Sequence, residues 1–171
     1  MPDDIHQPKQ LLVEGKDAKV FFIEFLKALD ISDIQVQDFG GVNELTGFLG
    51  QLRKNANFRK MVTSLGIVRD AESDSIGAFQ SVQTSLQKAS LPVPSNLTIP
   101  TNTSLKVNIF ILPGNNSPGM LETLLLQAVS SDPAVNCIDS FIECIESTYC
   151  PLAALSPACH LYRDFQTVAT R

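Results

Sequence analysis

Two short apolar runs break off into carboxylates, and this constrains the fold more than any other feature of the chain. Leu11-Leu12-Val13 ends in Glu14-Gly15-Lys16-Asp17, and Gly66-Ile67-Val68-Arg69 ends in Asp70-Ala71-Glu72-Ser73-Asp74. Apolar runs of this length, bounded by turn residues, read as strands. In a parallel α/β sheet the strand ends on one edge lie side by side, and ligands bind in the crevice there. Two such ends would bring Glu14, Asp70 and Glu72 together although they are far apart in sequence. Uncompensated carboxylates repel one another, so a cluster of them awaits a cation.

The rest of the chain fits that architecture. Lys9–Val13 reads as a first strand, and Asp17–Leu29 as a helix through Val20, Phe21, Ile23, Phe25, Leu26 and Leu29. Ile34–Phe39 alternates apolar and polar residues as a second strand. Gly40-Gly41 ends it, and Asn43 is placed to cap a helix running to about Ala56. Leu65–Arg69 is a third strand. Ser73–Lys88 is a polar helix with Ile76, Phe79, Val82 and Leu86 on one face. Ser90–Ser104, rich in Pro, Ser, Asn and Thr, reads as a loop or an inserted flap. Val107–Leu112 is a fourth strand, followed by a turn at Pro113–Gly119. Met120–Val129, Cys137–Ser147 and Ala158 to the end read as helices. The alternation predicts an α/β fold: a central, mostly parallel sheet of about four strands flanked by helices. The expected organisation is a single domain over 1–171, with its core at about 9–129 and a helical part at about 130–171.

Composition narrows the function classes. Of the 171 residues 44% are apolar and 18% charged, a globular composition with enough chain for a real core. The net charge is −5 and no Lys/Arg run occurs, so nonspecific nucleic-acid binding has no basic patch to rest on. Contact with nucleic acid would need a metal bridge, a local patch or a partner subunit. No apolar run reaches the roughly 18 residues needed to span a bilayer, so no membrane is expected. Met1-Pro2-Asp3-Asp4 is acidic and polar, unlike a signal peptide, and the expected location is cytoplasmic.

Each candidate residue also has an ordinary structural reading. Glu14 suits a ligand-facing turn, because Gly15 lets the backbone turn tightly; it also suits a solvated turn, with Asp17 as helix cap. Asp70 and Glu72 are two apart and point the same way if the strand end is extended. Capping explains Asp74 well and Asp70 poorly, since Asp70 directly follows a buried strand. Glu122 falls in a first helical turn, where an acid is often only a dipole partner. Cys137, Cys144, Cys150 and Cys159 lack zinc-knuckle spacing and read as buried free thiols. His6 and His160 have no evident catalytic partner. Gly40-Gly41 is too short for a dinucleotide fingerprint, and no phosphate-loop sequence occurs. A response-regulator receiver is set aside because Lys106 begins a strand rather than ending one.

Leu-Val-Glu-Gly-Lys-Asp, Phe-Gly-Gly, Gly-Ile-Val-Arg-Asp-Ala-Glu and Pro-Gly-Met-Leu-Glu occur in that order between Leu11 and Val129. Together they resemble a family of stand-alone, Toprim-like bacterial proteins, related to the Toprim domains of topoisomerases, primases and OLD-type nucleases. The resemblance implies a compact Toprim-like, Rossmann-like sheet. It implies that Glu14 is a general acid/base or a ligand, that Asp70 and Glu72 bind magnesium or manganese, and that Glu122 is a further metal ligand. Asp17, Asp74 and Lys16 stand near these motifs as additional candidates. The implied chemistry is metal-dependent phosphodiester cleavage, with nucleic acid as the partner. The chain departs from the pattern at Ala18, where relatives often carry a second acid. It departs again in its late segment, which offers only Arg163 and Arg171 where OLD-type nucleases use a basic residue. These departures, with the acidic charge, point to the alternative: a catalytically inactive module binding a metal, a nucleotide or a partner protein.

Overall fold

Four apolar runs become strands: β1 (Lys9–Val13), β2 (Ile34–Asp38), β3 (Ser64–Asp70) and β4 (Lys106–Leu112). They are seen in a computed structural model that describes residues 2–114 and 116–149. The expected helix from Ala158, together with Cys150, Cys159, His160, Arg163 and Arg171, lies outside the described residues. The strands form one sheet in the order β2-β1-β3-β4, and every pairing is parallel. The expected α/β fold is therefore present.

Parallel strands need crossovers, and helices supply them. They are α1 (Lys16–Ala28), α2 (Leu45–Lys54) with α3 (Ala56–Met61), and α4 (Ser75–Lys88); α5 (Leu121–Val129) and α6 (Pro133–Tyr149) follow the last strand. One face of the sheet presents Leu12, Leu65, Ile67, Val107 and Ile109 to Leu49 and Leu52 of α2, Phe58 of α3, and Val82 and Leu86 of α4. The other presents Val13, Val68 and Leu112 to Ala18 and Leu26 of α1 and Leu121 of α5. Covered on both faces, the strands bury apolar side chains on each side, with Gln10, Gln37 and Arg69 as the buried polar exceptions. No helix among the described residues is long and apolar enough to cross a membrane.

Local chemistry moves several boundaries. The helix expected to run to Ala56 breaks at Asn55, whose side chain accepts from the backbone N–H groups of Asn57 and Phe58 and starts α3. Asn43 does not cap α2. Glu44 precedes that helix and turns its carboxylate back to the N–H of Gly41, at 3.2 Å. Ile76 is exposed, because the buried stripe of α4 runs through Ala78, Val82 and Ser85. Cys137 and Cys144, expected to be buried, lie exposed on α6, as do Ile138 and Phe141 of the same helix. The Ser90–Ser104 segment runs along the open side of β4. The N–H of Thr98 donates to the carbonyl of Ile109, and that of Thr101 to Val107. It therefore covers a sheet edge that would otherwise expose unpaired backbone.

Two buried glutamines fix the N-terminal segment to the sheet. Gln37 Nε2 donates to Gln10 Oε1 at 2.7 Å, Gln10 Nε2 donates to the carbonyl of Gln7, and Gln37 Oε1 accepts from the N–H of Asp3. Gln10→Leu would leave Gln37 Nε2 buried without an acceptor. Urea unfolding is expected to show a loss of about 1–3 kcal/mol, with Gln10→Leu/Gln37→Leu less damaging than the sum of the single changes.

Candidate functional site

From β1 the chain passes to β2 on one side and then to β3 on the other, so the strand order reverses between β1 and β3. At such a switch point the connections leave in opposite directions, and a crevice opens beyond the carboxyl ends of the strands. Val13 pairs with Val68. Glu14 thus comes next to Arg69, and Asp70 stands one residue further along β3.

Gly15 makes the exit from β1. Its φ of 85° and ψ of 160° are open to glycine alone, and they turn the chain straight into α1. Gly15 itself occupies the N-cap position. Lys16 and Asp17 are exposed in the first turn, so the expected capping by Asp17 is not found. Asp38, at the end of β2, locks this turn: its Oδ1 accepts from the N–H of Gly15 at 3.0 Å and from that of Gly40 at 2.7 Å.

The exit from β3 is built differently. Asp70 Oδ1 accepts from the N–H of Leu121 at 3.0 Å, tying the strand end to the start of α5. Glu72 has a φ of 51° and exchanges two backbone hydrogen bonds with Gly119, at 2.8 and 2.7 Å. The extended strand end expected to align Asp70 with Glu72 is therefore absent; the bridge to Gly119 turns the chain after Asp70. Glu72 is exposed at the rim, as is Glu122 in the first turn of α5. Asp74 caps α4, accepting from the N–H of Gly77 at 2.9 Å.

The carboxylates nevertheless act on one another. Burial, followed by the charge of Glu14 and those of Glu122 and Glu72, pushes Asp70 up to about 6, against the pull of its Leu121 hydrogen bond. Burial also raises Glu14; Arg69 opposes the shift and Glu72 adds to it. Arg69 Nε lies 3.5 Å from Glu14 Oε2, with the two side chains only 10% and 16% exposed. Neither atom has a hydrogen-bond partner.

Glu14, Asp70, Glu72 and Glu122 offer hard oxygen donors, which suit magnesium or manganese. Glu14 Oε2, buried and without a well-formed hydrogen bond beside Arg69, fits such an ion once Arg69 gives it up. Among the described residues, no group of three or more His, Cys, Asp or Glu side chains is already arranged to hold one. Asp17 stays in its helical turn and Asp74 at its cap. Sequence reasoning passed over Asp38 and Arg69. The available signals were an acid ending an alternating strand just before Gly40-Gly41, and a charge inside an otherwise apolar run.

Fold and site together define a parallel α/β protein with acidic strand ends at its switch point. The chain belongs to the family of proteins of unknown function DUF3226, whose model matches residues 8–157. No curated protein and no solved structure matches it.

The Asp70 shift has a signed consequence for stability. Its carboxyl holds a proton more tightly in the folded chain than at its ordinary value of 3.8, so folding loses stability as pH rises from about 4 to about 6. The full cost is present above that window. Asp70→Asn keeps an acceptor for Leu121 and removes the charge. It is expected to stabilise the protein by roughly 1 kcal/mol at pH 7.5, allowing for solvent screening, and by almost nothing at pH 3.5. Urea unfolding at the two pH values checks this.

Proposed function

We propose that this protein binds magnesium or manganese at its strand-end carboxylates and cleaves phosphodiester bonds in nucleic acid within the cytoplasm. The observation that carries the reading is the convergence of Glu14, Glu72 and Glu122 on Asp70 at the sheet's switch point, whose charges add to burial in raising its carboxyl to about 6. Like charges held together at that cost are characteristic of sites built for a ligand of opposite sign. The resemblance to Toprim domains supports the same assignment.

On this reading Asp70, Glu72 and Glu122 hold the cation, and Glu14 holds it or moves a proton. Asp70 Oδ1 is engaged by Leu121, so its Oδ2 is the atom left for the metal. The bound ion would supply charge neutralisation at the phosphate and an activated water. Asp38 keeps the Glu14 turn in place by holding Gly15.

A second reading is a catalytically inactive, metal- or nucleotide-binding interaction module that works with a partner protein. Ala18 favours it: this residue is buried against the sheet where relatives often carry a second acid. The net charge of −5 favours it too.

A manganese-binding isotherm on the metal-free protein is the first test. Wild type is expected to bind, and Asp70→Asn to weaken binding by at least about tenfold. Absence of binding by wild type in the presence of an oligonucleotide would overturn the cation reading. Against a panel of DNA and RNA substrates, Glu14→Gln is expected to cut any activity by roughly a hundredfold or more. Binding without cleavage of any substrate selects the second reading.

A further inference from the structure

Arg69 is the single charged side chain buried among the described residues. It lies on the face of β3 that packs against α4, where its Nη1 donates to the carbonyl of Ala78 at 3.3 Å. The guanidinium is therefore anchored to a helix rather than to the acid beside it. Its Nε faces Glu14 Oε2 across 3.5 Å, and both atoms lack a hydrogen-bond partner. Buried ion pairs that serve only structure satisfy their donors and acceptors, commonly by two parallel N–H···O bonds. At 3.5 Å this pair falls short of a well-formed hydrogen bond and rests mainly on charge. The carboxylate side is the less anchored of the two: Glu14 comes just after the last residue of β1, and its further hold is on the backbone N–H of Asp70.

We propose that Arg69 is a positioning residue that occupies Glu14 while the protein is cation-free and yields it to an incoming divalent ion. Arg69 thereby sets the cation concentration at which the site fills. This inference rests on the cation-binding reading above. It accounts for the coexistence of converging carboxylates with no ready-made group of three: Glu14 is engaged elsewhere in the cation-free state. An anchored positive charge also lowers cation affinity directly, through repulsion across a poorly solvated gap. The protein gains a neutralised, partly buried Glu14 in the absence of metal, at the expense of a higher dissociation constant.

The test is a manganese isotherm and a thermal melt, with and without manganese, on wild type, Arg69→Gln, Arg69→Lys and Asp70→Asn. Arg69→Gln is expected to bind manganese about tenfold more tightly than wild type, because the competing charge is gone. Its metal-free melting temperature is expected to fall by about 5 °C or more, and manganese should recover most of that loss. Arg69→Lys, which keeps the charge, is expected to stay within about threefold of wild-type affinity. A purely structural Arg69 would lower the melting temperature equally with and without manganese and leave affinity unchanged or weaker. That result, alongside normal binding by wild type and loss in Asp70→Asn, overturns this inference and leaves the cation reading standing. Absence of manganese binding by both wild type and Arg69→Gln overturns both. Should Arg69→Gln fail to fold without metal, folding upon manganese addition supports the proposal. Failure to fold even then, while Glu14→Gln/Arg69→Gln folds, overturns it.

Discussion

Where a parallel sheet ends, its ladder of hydrogen bonds ends too, and the backbone N–H groups of the exits must find other acceptors. In this chain carboxylates meet that demand. Asp38 accepts from Gly15 and Gly40, Asp70 from Leu121, Asp74 from Gly77 and Glu44 from Gly41. The same acids fix how α1, α4 and α5 leave the sheet. The direction of each exit depends on them, and so does the shape of the crevice between β1 and β3. Structural service and ligand binding are therefore not competing explanations for Asp70. One oxygen does the first, and the proposed cation would take the other.

Glu14 stands apart from this group. It accepts no bond from a neighbouring helix start, and its Oε2 is buried beside a guanidinium that does not hydrogen-bond to it. A well-packed apolar pair at Glu14 and Arg69 would stabilise a fold at least as well as this ion pair does. Asp70 carries a similar burden, since burial and three neighbouring acids penalise the ionised form that prevails at neutral pH. Two adjacent residues that each cost stability, placed at the one reversal of strand order, follow the pattern of a protein that trades stability for a site.

Much of this was legible in the chain. The four strands and the order of helices follow from apolar runs and their punctuation, because a buried parallel strand has few other ways to look. That Glu14 and Asp70 lie close follows from parallel topology alone. Their companions were harder to read. Glu72 was expected to share the direction of Asp70 because alternation was carried past the strand end, whereas a reciprocal pair of bonds with Gly119 reverses the chain there. Arg69 sits inside an apolar run, and no periodicity reveals that the neighbour of a buried arginine is a glutamate from another strand. Asp38 looked like the polar half of an alternating strand; its role depends on Gly15, which only the fold brings near. The break at Asn55 was hidden because the apolar pattern runs through it while the side chain caps locally.

The same hydrogen bonds bear on how an anionic ligand would approach. Helix N-termini beside a switch point ordinarily receive phosphate through free backbone donors, as in dinucleotide-binding folds. Here the Gly15 N–H, at the N-cap of α1, is given to Asp38, and the first N–H of α5 to Asp70. Both nearby helix starts thus already give one donor to an internal carboxylate, which partly offsets the positive end of each dipole. Around them stand Glu14, Glu72 and Glu122, and the nearby Arg69 is buried and turned towards α4. A phosphate would meet negative charge at this edge of the sheet unless a cation lay between. A bare nucleotide site of the dinucleotide-binding kind is therefore the arrangement this crevice suits least. On the proposed reading, the metal would arrive before the phosphate.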